Sequence, residues 1–184
     1  YFGMRYVLGD KYRFIPEKWG QTFLQTRMKK ENAVFGGEPD GHYMWPGFFQ
    51  SYADAIFSTA KMVEALSNED APLSEILSSY PKLYLVRTKS KPWGGSFVKA
   101  REEIISFLER ISNDIFTDLD THILYCEGDE YGLTIRQSHW DGTVRIEIET
   151  VNQEEGKNIV REVYYKLLNP KGVEIPNLEQ QISR

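Results

Sequence analysis

Several things are scarce in this 184-residue chain, and each scarcity excludes a class. There is one cysteine, Cys126, so no internal disulfide can staple the fold. Cys126 falls in a strand-like apolar run, His122–Cys126, where a thiol packs as a small hydrophobe rather than acting as a nucleophile. No apolar run approaches the roughly 20 residues that a membrane span requires, and no secretory leader is visible. A surplus of positive charge is also missing: 22 Lys and Arg stand against 27 Asp and Glu, a net charge of −5. That balance argues against a general nucleic-acid partner and requires any anion site to be built locally. Neither an internal repeat nor a low-complexity segment is present. These features point to a cytoplasmic protein with no nucleic-acid or membrane partner.

What is present supports a packed core. Hydrophobic residues make up 41% of the chain and aromatics 14%, a globular rather than a disordered composition. Apolar spacing predicts a helix from Glu17 to Lys30, a short strand at Ala33–Phe35, and a helix from about Tyr52 to Leu66. In the latter helix Ala55, Ile56, Thr59, Met62, Val63 and Leu66 form the expected buried stripe. A helical turn at Leu73–Leu77 follows. From about residue 81 the pattern becomes strand, helix, three strands, helix. The strands fall at Leu83–Thr88, Thr121–Tyr125, Leu133–Arg136 and Thr143–Val151, and the helices at Ser96–Ile111 and Gln153–Leu168. In Thr143–Val151, Val144, Ile146 and Ile148 alternate with Arg145, Glu147 and Glu149, a half-buried strand. Short hairpins between such strands imply an α+β fold with an antiparallel sheet and helices on one face. We expect this domain at 81–169, preceded by a remnant of another domain at 1–50 and linking helices at 51–80, and followed by a polar tail at 170–184.

Two loops carry residue types suited to chemistry. In Gly36-Gly37-Glu38-Pro39-Asp40-Gly41-His42 the glycines allow close backbone approach. Glu38 and Asp40 can accept hydrogen bonds from hydroxyl groups, and His42 can donate, accept or shuttle a proton. By composition alone this loop also reads as a solvated turn, and its three O and N ligands have no diagnostic metal spacing. The second loop, Arg136-Gln137-Ser138-His139-Trp140-Asp141-Gly142, lies between two strands. Successive backbone N–H groups there could form an anion-binding nest, with Arg136 gripping phosphate and Ser138 adding a hydroxyl. Asp-Gly before a strand is equally a plain hairpin signal. Arg87, Lys89, Lys91 and Lys99 read as a solvated basic face, His122 as a structural histidine, and Trp19, Trp45 and Trp93 as packing residues.

Together the two loops resemble the α-D-phosphohexomutase family of phosphoglucomutases, phosphomannomutases and phosphoglucosamine mutases. The first is similar to the family's Gly-Glu-x-Ser-Gly-His sugar loop, with Asp40 where serine is usual. Asp54 resembles the acidic residue that follows it, and Leu8-Gly9-Asp10-Lys11-Tyr12 the segment before it. The second is similar to the Arg-x-Ser-x-Thr-Glu-Pro phosphate loop: Arg136 and Ser138 are kept, His139 and Trp140 replace small residues, Asp141 takes the glutamate position and Gly142 the proline. The resemblance implies the end of the family's third domain followed by its fourth, a TATA-binding-protein-like fold. It implies that Glu38 and Asp40 bind sugar hydroxyls and that His42 is a candidate general acid/base. It further implies that Arg136, Ser138 and the backbone of His139 and Trp140 hold the phosphate that is not transferred. The family's phosphoserine loop and its Asp-rich Mg²⁺ loop are absent from these residues. No metal ligand or cofactor is therefore expected in this part, and Mg²⁺ is expected in the full-length enzyme. The chain opens on Tyr1 rather than Met, and we expect the missing loops in upstream domains of the same protein. The expected activity is that of an isomerase, an intramolecular phosphotransferase of carbohydrate metabolism acting on a hexose phosphate, with this part inactive alone. The alternative is a non-catalytic phosphosugar-binding module or divergent paralogue.

Overall fold

The computed structural model describes residues 2–38, 41–47 and 52–183. Contacts divide the chain into two compact units, one of residues 1–16 with 81–184 and one of residues 17–80.

The larger unit is built on a five-stranded, wholly antiparallel sheet. Its strands are β3 (Tyr84–Arg87), β4 (Asp114–Asp120), β5 (Ile123–Glu127), β6 (Tyr131–Gln137) and β7 (Val144–Thr150), in the order β3-β7-β6-β5-β4. The alternation of β7 is realised: Val144, Ile146, Ile148 and Thr150 are buried, with Arg145, Glu147 and Glu149 on the other face. Two helices cover the apolar face, α5 (Phe97–Leu108) and α6 (Gln153–Glu162), the latter continuing into a π-helical turn at Val163–Leu168. Each starts where a polar side chain caps it. Ser96 Oγ accepts from the Lys99 amide, and Asn152 Oδ1 accepts from the Glu155 amide at 3.2 Å. The core between sheet and helices holds Phe97, Ile104, Leu108, Leu124, Leu133, Ile135, Ile146, Ile148 and Val160, all fully or nearly fully buried.

Three sequence expectations are corrected here. First, α5 is followed by four strands rather than three, because Asp114–Asp120 is a strand. Second, the segment from 170 is not a polar tail. Val173, Ile175 and Leu178 are buried in the same core, as is Ile182 in α7 (Leu178–Ile182). Third, the first residues join this unit: α1 (Phe2–Leu8) lies on the sheet face away from α5 and α6, where the Gly3 amide donates to Glu149 Oε2 at 3.0 Å and Arg5 pairs with Glu127. A side chain at Gly132 would collide with Phe2 and the Tyr125 hydroxyl, so glycine keeps that approach open.

The unit at 17–80 holds α2 (Gln21–Glu31), a minimal hairpin of β1 (Gly36–Gly37) and β2 (Tyr43–Met44), α3 (Ala55–Ser67) and α4 (Leu73–Ser78). The predicted strand at Ala33–Phe35 forms instead one step later, at Gly36–Gly37. Asp54 caps α3, its Oδ1 accepting from the Phe57 amide at 2.7 Å. The stripe on α3 that should be buried is open: Ile56 is 86% exposed, and Met62 and Val63 are more than half exposed. Among the described residues, no helix is long and apolar enough to cross a membrane.

Candidate functional site

The two candidate loops lie in different units. The first is the turn of the β1–β2 hairpin, in which the Glu38 amide donates to the His42 carbonyl at 2.9 Å and the Gly41 amide to the Glu38 carbonyl at 3.0 Å. Gly41 has φ +92°, a conformation that glycine adopts without strain. Gly36 packs so closely on Met28 that a Cβ there would meet its sulfur at 2.5 Å. Glu38 is largely buried. Its Oε1 accepts from the Gly20 amide at 2.6 Å, and its Oε2 lies 3.5 Å from His42 Nδ1. Glu38 thus ties the hairpin to the start of α2 with one oxygen and aligns the more exposed His42 with the other. Asp40 lies outside the described residues. Trp45 packs as expected, edge-on to Phe35 and Phe57, with its indole N–H donating to Ser58 Oγ.

The second loop joins β6 to β7. The Ser138 amide donates to the Thr143 carbonyl and the Gly142 amide to the Ser138 carbonyl, at 2.8 and 3.0 Å, and Gly142 takes φ +63°. Ser138 Oγ accepts from the amides of Trp140 and Asp141 at 3.3 and 3.4 Å. Its hydroxyl shapes the loop from within. Trp140 projects wholly into solvent, 99% exposed, and so does not fill the loop.

Asp141 is the organising carboxylate. Lys89 Nζ lies 2.9 Å from Oδ2, while Oδ1 accepts from the Thr143 hydroxyl at 2.7 Å and its amide at 3.1 Å. These bonds, that of Lys89 foremost and that of Thr143 next, hold its pKa below the usual carboxylate range. Arg145 reaches the same carboxylate at 3.8 Å. The β6–β7 register sets Arg136 directly across from Arg145, and Arg136 also meets Glu147 Oε1 at 3.5 Å. The loop is therefore flanked by Lys89, Arg136 and Arg145. Composition had assigned Lys89 to a solvated face, and Arg145 was legible only as the outward residue of a strand. Their convergence depends on strand pairing between distant segments.

Cys126 is buried in β5, and that burial pushes its thiol pKa up to about 12, which fits an inert packing residue.

The chain matches the family model described as phosphoglucomutase/phosphomannomutase, alpha/beta/alpha domain III, over residues 5–84. It is 30% identical over 147 residues to a phosphoglucosamine/phosphogalactosamine mutase of Sulfurisphaera tokodaii, an alignment covering 79% of this chain and 31% of that one. It is 28% identical over 144 residues to a probable phosphoglucosamine mutase of Methanopyrus kandleri, covering 77% and 30%. Its fold matches a phosphoglucomutase/phosphomannomutase family protein of Burkholderia thailandensis with TM-score 0.69 at 18% identity, over 87% of this chain and 33% of that one. The chain belongs to the phosphohexomutase family and corresponds to its C-terminal part. It spans about a third of the length of these relatives.

Proposed function

We propose that this chain is the substrate-holding part of a phosphohexomutase, gripping the sugar hydroxyls and the non-transferring phosphate of a hexose phosphate while upstream domains of the same protein transfer the phosphoryl group. The names of the relatives span amino-sugar phosphates and other hexose phosphates. Glu38, Asp40 and His42 are assigned to the sugar, His42 as a general acid/base contributor. Arg136 and Ser138, with the backbone of His139 and Trp140, are assigned to the phosphate.

The observation that carries this reading is the cationic setting of the β6–β7 loop in a chain of net charge −5. Three cations flank the loop, and Arg145 Nε is a buried donor that meets no acceptor among the described residues. Positioning and charge stabilisation dominate phosphoryl transfer, so a rigid phosphate grip is a useful contribution to it. Mg²⁺, which the family implies, takes oxygen ligands. Among the described residues the one three-ligand cluster has two imidazoles, so it does not fit Mg²⁺. The single buried thiol agrees with a cytoplasmic setting.

Calorimetric titration of the 184-residue chain with glucosamine 1-phosphate and glucose 1-phosphate tests the reading. Saturable binding weakened at least tenfold by Arg136→Ala supports it. Binding indifferent to Arg136→Ala removes the phosphate assignment.

A further inference from the structure

The β4–β5 and β6–β7 turns bring together three residues that the sequence keeps far apart. Asp120 ends β4, His122 sits in the turn before β5, and His139 lies in the loop after β6. The Gln137 amide donates to the His122 carbonyl at 2.9 Å, which carries the β5–β6 pairing up to the two turns. The imidazole rings of His122 and His139 are 4.1 Å apart, centre to centre. Asp120 Oδ1 lies 3.5 Å from His122 Nδ1 and 3.8 Å from His139 Nε2, and one ligand atom from each of the three residues lies within 4.8 Å of the others.

From this geometry we propose a divalent transition-metal site of the zinc class, formed by Asp120 Oδ1, His122 Nδ1 and His139 Nε2 at the rim of the β6–β7 loop. The spacing is the first argument. Ligand atoms about 2.0–2.1 Å from a tetrahedral zinc lie roughly 3.3–3.4 Å from one another, so the two measured edges need only a few tenths of an ångström of closure. The ligand set is the second. Two imidazoles and a carboxylate suit zinc, cobalt or nickel rather than magnesium or calcium. The third argument is preorganisation. The His122 amide donates to Asp120 Oδ1 at 2.9 Å, and Arg101 holds the turn by donating to the carbonyls of Asp120, Thr121 and Ile123. Asp120 and His122 are thereby fixed, while the more exposed His139 needs only a side-chain rotation. The metal takes the place of the Thr121 hydroxyl, which lies 2.9 Å from His122 Nδ1. Three protein ligands leave a four-coordinate zinc one position for an outside ligand.

Competition of the 184-residue chain against a chromophoric chelator for Zn²⁺ tests the site, with Mg²⁺ as a control ion. One Zn²⁺ per chain is expected, with no comparable binding of Mg²⁺. His139→Gln and His122→Ala should each weaken Zn²⁺ at least tenfold. Co²⁺ should give the visible absorption of a four-coordinate ion, and that band should vanish in both variants. Circular dichroism and the melting temperature without metal verify folding; His139→Gln, in an exposed loop, leaves the β4–β5 turn intact. Absence of saturable Zn²⁺ binding, or wild-type affinity in the folded His139→Gln chain, overturns the proposal.

Discussion

The two units differ in how completely each buries its own apolar residues. The sheet unit sandwiches an alternating strand face, two capped helices and the 173–182 segment around a continuous core. In the 17–80 unit, Met28 and Met44 are the buried large hydrophobic side chains among the described residues, and α3 presents Ile56, Met62 and Val63 to solvent. The difference teaches that amphipathic spacing and burial are separate facts. Spacing makes a helix with an apolar face, but a partner surface is needed to bury it. The comparison also places the two loops on unlike supports, one hairpin of two-residue strands and one loop between seven-residue strands.

The sharpest way to break this contrast is to truncate matched aliphatic residues. Ile146→Ala in the sheet core should cost about 2–5 kcal/mol in chemical denaturation, the usual price of a buried cavity. Gly156→Ala comes next. Alanine favours a helix by about 1 kcal/mol over glycine, but its Cβ would meet Thr150 Cγ2 at 2.7 Å, on a stiff β-branched side chain in the sheet. Overpacking should prevail, with a net loss of about 1–2 kcal/mol in the same assay.

Two carboxyl groups in the sheet unit should then respond to pH with opposite signs. Burial raises the pKa of Glu127, against the opposing pull of the Tyr125 hydroxyl and Arg5. Its contribution is full below the unfolded-state pKa and is lost as pH rises through the folded one. Asp141, with its pKa lowered first by Lys89, contributes above the unfolded-state pKa and loses that contribution as pH falls through the folded one. Thermal melts across pH should therefore show Glu127→Gln flattening the decline on the rising side and Asp141→Asn flattening the decline at the acid end. Asp141 is far more open to solvent than the buried Glu127, so the second effect is the smaller. Smallest of all, Met62→Ala on α3 should change stability by no more than about 0.5 kcal/mol. A cost like that of Ile146→Ala would show that this face is covered in solution.

Much of the sheet unit was legible from the sequence. The period of β7 and the apolar spacing of α5 and α6 each declare their element locally. Strand β4 was hidden because three aspartates, poor strand formers, interrupt its pattern, and its pairing with β5 shifts register between Phe116 and Asp120. The 173–182 segment was hidden because its apolar residues change spacing midway: Val173 and Ile175 stand two apart as in a strand, Leu178 and Ile182 four apart as on a helix, with Gly172 before the first pair and Pro176 between the two. At the site, the glycine-rich turn and the Arg136–Gly142 loop were visible as motifs. The inward use of Ser138 Oγ was not, because hydroxyl direction follows from turn geometry rather than residue type. His122 read as structural, since nothing in the sequence sets it beside His139; that neighbourhood is created by strand register.

The most direct test of the central claim is amide chemical-shift mapping of the ¹⁵N-labelled chain during titration with a hexose 1-phosphate. The account predicts saturable shifts concentrated at Ser138–Gly142 and Arg136, with the amides of α6 unmoved. Saturable shifts that leave the β6–β7 loop untouched, or no shifts at all, would contradict it.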